Sequence, residues 1–182
     1  MEIERVYQFR IDLKGTKPPV WRRILVPESY SFWDLHIAIQ DAMGWSGYHL
    51  YEFEVACPPH GLKVRIGIPD EDSAWEILPC WKEAIADYFS PRRSVGLYVY
   101  DFGDNWEHAL RLERILPRES GVRYPVCIAG RRACPPEDCG GVWGYQELLA
   151  GESEFQKEYE DFDPERFDVG QVVFRDPRKV PR

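Results

Sequence analysis

The sequence predicts a single α+β domain: a mixed, mainly antiparallel sheet with helices packed against it. Three observations carry that expectation. Apolar and polar residues alternate with period two over several separated runs. One segment between those runs carries a full set of helix start and stop signals. Two later runs are joined by residues that tolerate the backbone of a tight hairpin.

Residues 6–13 set Tyr7, Phe9, Ile11 and Leu13 against Gln8, Arg10 and Asp12, the pattern of a half-buried strand. Gly15 to Pro19 turns the chain, Val20 to Val26 forms the second arm of a hairpin, and Pro27 ends it. Ser31 is the expected N-cap of a helix, with Asp34 three residues on as a shortened capping box. Leu35, Ile39 and Ala42 or Met43 make its apolar stripe, and Gly44 its C-cap. The run 49–55 alternates again and puts His49 on the face of Tyr51, Phe53 and Val55. A strand is expected at 62–68, then an acidic turn from Pro69 to Asp72.

Residues 81–89 suit a short amphipathic helix, with Trp81, Ile85, Tyr88 and Phe89 inward. A polar turn at 90–94 leads into the strongest hairpin signal, Val95–Phe102 against Trp106–Leu116. Trp106, His108, Leu110 and Leu112 share a face of its second arm, and Gly103-Asp104-Asn105 supplies the turn. Residues 117–144 are rich in Pro and Gly, with a short strand at 124–129, and a helix runs from Gly144 to Ala150. Residues 152–168 carry eight acids against Lys157 and Arg166, a solvated acidic helix face or a loose segment. The domain is expected to span 1–175, with 176–182 a frayed basic tail.

The formal net charge of −8 over 182 residues argues against general nucleic-acid binding. There is no signal-peptide core and no apolar run long enough to span a bilayer, so a cytoplasmic protein without membrane partners is expected. Five Cys is an odd number, which fits reduced thiols better than a secreted disulfide framework.

The stretch Tyr98 to His108 is the leading site candidate, with two carboxylates and an imidazole around one turn. Asp101, Asp104 and His108 could hold a divalent metal or do acid–base chemistry; equally, the two Asp could cap the turn and His108 could be a core residue. Cys127, Cys134 and Cys139 cluster without zinc-ribbon spacing, and His108 is their candidate fourth zinc ligand. Cys57 and His60 are a second possibility, and small buried apolar thiols a third reading. The loop Pro135-Pro136-Glu137-Asp138-Cys139-Gly140-Gly141 could present its acids beside the hairpin, or be only stiff. The doublets Arg22–Arg23, Arg92–Arg93 and Arg131–Arg132 would contact phosphate only if they converged. Walker, dinucleotide, Gly-x-Ser-x-Gly and His-Glu-x-x-His motifs are absent, which removes several large enzyme classes.

Several blocks together resemble a known family. Pro19-Val20-Trp21-Arg22-Arg23-Ile24 is similar to its opening signature. Leu35-His36, Ile39-Gln40, Ala42, Gly44-Trp45 and His49-Leu50-Tyr51-x-Phe53 follow in its order. Tyr100-Asp101-Phe102-Gly103-Asp104-x-Trp106-x-His108 is its most recognisable block. Cys127 to Gly130 and Ala133-x-Pro135 through Gly144-Tyr145 complete the match, which drifts after Gly170. This is the plasmid pRiA4b ORF-3-like family. The resemblance implies one α+β domain and a bacterial or archaeal source, but no established activity. Some members are described as transposon passenger or resolvase-like proteins; the acidic charge and the lack of a serine-recombinase nucleophile motif argue against that role here.

The expected function is a binding module. Its pocket would join the 101–108 turn to the 134–145 loop, with Asp101, Asp104, Glu137 and Asp138 as acids, His108 titrating, and Trp106 and Tyr145 as an aromatic wall. Zinc or another divalent metal is the candidate cofactor. A metal-assisted hydrolase or nuclease at the same acids is the first alternative. A mobile-element-associated nucleic-acid accessory protein is the second.

Overall fold

The computed structural model describes residues 4–58, 60–70, 73–154 and 156–181. Glu71 and Asp72 of the expected acidic turn, and Arg182 of the tail, lie outside the described residues. In chain order the elements are β1 (Arg5–Leu13), β2 (Val20–Pro27), α1 (Phe32–Met43), β3 (Tyr51–Ala56), β4 (Lys63–Gly67), β5 (Ile77–Pro79), α2 (Ile85–Tyr88), β6 (Val95–Tyr100), β7 (Trp106–Pro117), β8 (Val126–Arg131) and α3 (Gly141–Ala150). The strands form one sheet in the order β5-β4-β3-β6-β7-β1-β2-β8. All neighbours pair antiparallel except β4 with β5. This is the expected α+β domain with a mixed, mainly antiparallel sheet.

The alternation decides which face is buried. Phe9, Ile11, Ile24, Phe53, Tyr98, Trp106 and Leu110 are all essentially inaccessible and form the core with α1. The opposite face carries polar side chains, including the Arg10 guanidinium 4.2 Å from the Trp21 ring and Arg23 paired with Glu113 at 2.6 Å. Helix α1 starts as its sequence dictates: Ser31 Oγ accepts from Asp34 N, Asp34 Oδ2 accepts from Ser31 N, and Gly44 ends the helix at φ 86°.

The 81–89 helix shrinks to the single turn α2. Glu83, and Cys80 just before the segment, instead satisfy the start of α1: Phe32 N donates to Glu83 O and Trp33 N to Cys80 O. The parallel strand β5, absent from the sequence reading, borders β4. Across 152–168 the described residues form turns rather than an acidic helix, and Phe162 packs against Tyr145 with ring centroids 6.3 Å apart. The tail does not run free. Arg175 pairs with Asp41, a 3₁₀ turn forms at Pro177–Lys179, and Trp33 Nε1 donates to Pro177 O at 3.2 Å. Among the described residues no helix is long and apolar enough to cross a membrane.

Candidate functional site

The β6–β7 hairpin closes at Tyr100↔Trp106. Positive φ falls on Asn105 (53°), one of the three expected turn residues, and on Asp101 (57°) just before them. Asp and Asn tolerate this region because their short polar side chains bond the local backbone. Asp101 does so: its Oδ1 accepts from Gly103 N at 2.9 Å, while Asn105 N donates to Asp101 O at 2.6 Å. Asp101 N also donates to Leu50 O at 2.9 Å, which fastens the segment before β3 to this turn.

The Pro-Pro-Glu-Asp-Cys-Gly-Gly loop packs onto the same turn. Trp45 Nε1 donates to Pro135 O at 2.8 Å. Glu137 accepts from Tyr100 Oη at 2.7 Å and from Ser46 N at 2.8 Å, with Ser46 Oγ as a third donor. Tyr159 Oη donates to Glu137 O at 3.2 Å, and Gly140 N to Asp104 Oδ2 at 3.2 Å. The glycines permit this approach: a Cβ on Gly141 would strike the Asp104 carbonyl, and one on Gly144 the Cys139 carbonyl.

Asp138, at φ 60°, is thereby held over His49. His49 Nε2 lies 2.9 Å from Asp138 Oδ1 and 3.5 Å from Asp101 Oδ2. Tyr48 Oη donates to the other Asp138 oxygen. That bond, with a smaller contribution from the imidazole, lowers the Asp138 pKa, and the same bond pushes the Tyr48 phenol up to about 12. Among the described residues, His49, Asp101 and Asp138 are the group whose donor atoms, one from each, all lie within 4.8 Å of one another. One imidazole nitrogen and two carboxylates suit zinc, manganese or iron(II).

The other expected site residues divide between loop anchoring and core. Asp104 and Glu137 face the turn but are spent holding the loop. Trp106, expected as pocket wall, is fully buried, with its ring centroid 5.5 Å from that of Trp45. Tyr145 is fully buried as well. His108 is enclosed between Trp45 and Tyr98; its Nδ1 lies 3.4 Å from Tyr98 O, Nε2 has no partner among the described residues, and burial lowers its pKa to about 4.

His108, Cys127, Cys134 and Cys139 do not form a comparable donor group among the described residues, and neither do Cys57 and His60. Cys134 Sγ lies 3.5 Å from Met43 Sδ, and burial raises the Cys134 and Cys139 pKa values to about 12. The arginine doublets are engaged singly. Arg22 is buried on backbone carbonyls and its guanidinium lies 3.8 Å from the Phe167 ring; Arg23 pairs with Glu113, Arg93 donates to Tyr88 O, and Arg132 pairs with Glu165.

The residue that reasoning from the sequence missed is His49. Counting back from Tyr51 puts it on the core face, but β3 starts at Tyr51, so alternation does not govern His49. The available signal was its place in the His49-Leu50-Tyr51 block beside a Gly44–Gly47 turn.

Comparison with known proteins now fixes the class. Residues 5–171 match the family model described as plasmid pRiA4b ORF-3-like protein, and the chain belongs to that family. It is 37% identical over 150 residues to the uncharacterized protein y4hQ of Sinorhizobium fredii, covering 80% of this chain and 72% of that one. It is also similar to the crystal structure of a protein of unknown function, MM3350 from Methanosarcina mazei Go1. That match has 46% identity and a TM-score of 0.87 over 95% of this chain and all of that one.

Proposed function

We propose that the protein is a binding module whose pocket captures a divalent cation through His49, Asp101 and Asp138. The observation that carries this reading is the convergence of their donor atoms within 4.8 Å on three separate segments. The hairpin turn ties the three segments together: Asp101 lies in it, the Leu50 carbonyl beside His49 accepts from Asp101 N, and Gly140 beyond Asp138 donates to Asp104. Such outer contacts orient ligands before the ion arrives. Tyr48 and Tyr100 are the aromatic part of the pocket, taking the role assigned from the sequence to Trp106 and Tyr145. The five free cysteines support a reducing, cytoplasmic setting.

Titration of metal-free protein with Zn²⁺ and Mn²⁺ by calorimetry tests the reading. One ion per chain is expected, with binding lost in His49→Ala and in Asp138→Asn. Unchanged binding in both variants would remove it.

One observation favours the alternative of a metal-assisted hydrolase at the same place. Three protein donors leave coordination positions open, and the Asp138 side chain is 56% exposed, so water can reach the ion. Metal-dependent hydrolysis of an activated phosphodiester, abolished by His49→Ala, is the expected result for that alternative.

A further inference from the structure

A second cavity, of about 570 Å³, shares no residue with the His49 group. Three segments bound it: the turn entering α1, the loop before β8, and the C-terminal segment Phe174–Arg178. Its size suits a small ligand, since such pockets usually run from about 300 to 1,000 Å³. The C-terminal wall is fixed in place by the Arg175–Asp41 pair and the Trp33–Pro177 hydrogen bond. That wall lies beyond residue 171, where the match to the family model ends.

The walls combine aromatic rings, from Tyr30, Tyr124 and Phe174, with charges of both signs. Two cations there are already matched: Arg175 by Asp41, and Arg178 by Asp176 at 2.9 Å. Two charges are not. Arg123 makes no ion pair or hydrogen bond among the described residues. Asp34 makes no ion pair either; its Oδ2 caps α1 through Ser31 N and Oγ, both at 2.8 Å, and no donor reaches its Oδ1. The Tyr30 hydroxyl is likewise without a protein partner among the described residues. Burial, and next the Asp34 charge, raise its pKa, so it stays a neutral donor toward the cavity.

We propose that this cavity binds a zwitterionic, amino-acid-like ligand, with an aromatic body among Tyr30, Tyr124 and Phe174, an ammonium on Asp34 and a carboxylate on Arg123. A purely anionic ligand would desolvate Asp34 without a partner, and a purely cationic one would do the same to Arg123; each carries the cost of an unpaired charge. A zwitterion matches both.

The test is calorimetry on the full chain with chelator present, which removes any contribution of the cation pocket. The probes are L-phenylalanine, N-acetyl-L-phenylalanine and L-phenylalaninamide. L-Phenylalanine is expected to bind, and masking either charge to weaken it by about tenfold or more, the worth of one charge-assisted hydrogen bond. Arg123→Gln, at an exposed position that no fold contact uses, is expected to weaken L-phenylalanine to the level of its amide. Phe174→Ala is expected to weaken all three probes together. No binding of L-phenylalanine up to about 10 mM, a range that would register even weak affinities, would overturn the proposal. So would equal binding of the three probes, or tighter binding of the N-acetyl form, which would mark a simple anion site.

Discussion

His49 and His108 lie a few rings apart and have opposite lives. A chain of aromatic contacts joins them: His49 to Tyr100 at 5.7 Å, Tyr100 to Trp45 at 5.3 Å, Trp45 to His108 at 5.4 Å. On the outer side of that layer, His49 meets two carboxylates at the protein surface. On the inner side, His108 has no accessible surface and an Nε2 with no partner among the described residues. The motif containing His108 is the more recognisable, yet its imidazole is held neutral in the core. Proximity to acids in the sequence did not decide which histidine could work; the side of the aromatic layer did.

The sharpest way to break this contrast is to lift the loop that creates the outer environment. Gly144→Ala would drive a Cβ into the Cys139 carbonyl, which no side-chain motion relieves. Destabilisation of about 3 kcal/mol is expected, at the upper end for overpacking, with loss of ion binding. Paired thermal melts and metal titrations check both. Normal binding in this variant would show that Asp138 does not depend on the loop.

Acid tests the inner histidine. Its folded pKa, near 4, lies below the unfolded value of about 6.5, so the unfolded chain binds the extra proton first. Its contribution is complete above pH 6.5 and is lost as pH falls toward 4, amounting to about 3 kcal/mol at roughly 1.4 kcal/mol per pKa unit. His36, buried and lowered to about 3, adds a loss of the same sign. Denaturant melts from pH 7 to pH 4 should therefore show falling stability, with a visibly shallower slope in His108→Gln. A slope unchanged by that substitution would mean His108 is not the buried neutral group described.

Smaller effects sit at the layer itself and outside it. Tyr100→Phe removes the 2.7 Å bond to Glu137 and is expected to cost about 1 kcal/mol, read from the denaturation midpoint. Weaker ion binding should accompany it, through a looser 137–138 segment. His49→Ala is expected to change stability by no more than about 0.5 kcal/mol, as for most surface positions, while abolishing ion binding. A large loss of stability there would make His49 a structural residue.

Much of the fold was legible because its signals are local. Alternation of Tyr7, Phe9, Ile11 and Leu13 specifies β1, and Ser31, Asp34 and Gly44 specify both ends of α1. The helix expected at 81–89 shortens because the Glu83 and Cys80 carbonyls answer amide groups at the start of α1, a demand that periodicity does not record. The contact of the tail is equally non-local: Trp33 Nε1 donates to Pro177 O across 144 residues. Within the site, the sequence pointed to Asp101 and Asp138 because turn residues with acids stand out. It could not pair them with His49, since that pairing runs through the Leu50 carbonyl and the packing of Trp45 on Pro135. The spacing of Cys127, Cys134 and Cys139 says nothing of how far their side chains converge, and among the described residues the donor atoms that converge are those of His49, Asp101 and Asp138.

The most direct measurement is an anomalous difference map from crystals equilibrated with Zn²⁺ or Mn²⁺. One peak is expected in contact with His49 Nε2 and with carboxylate oxygens of Asp101 and Asp138. A map with no peak there at saturating metal, or with its peak at Cys127, Cys134 and Cys139 instead, would contradict the assignment of this pocket as the cation site.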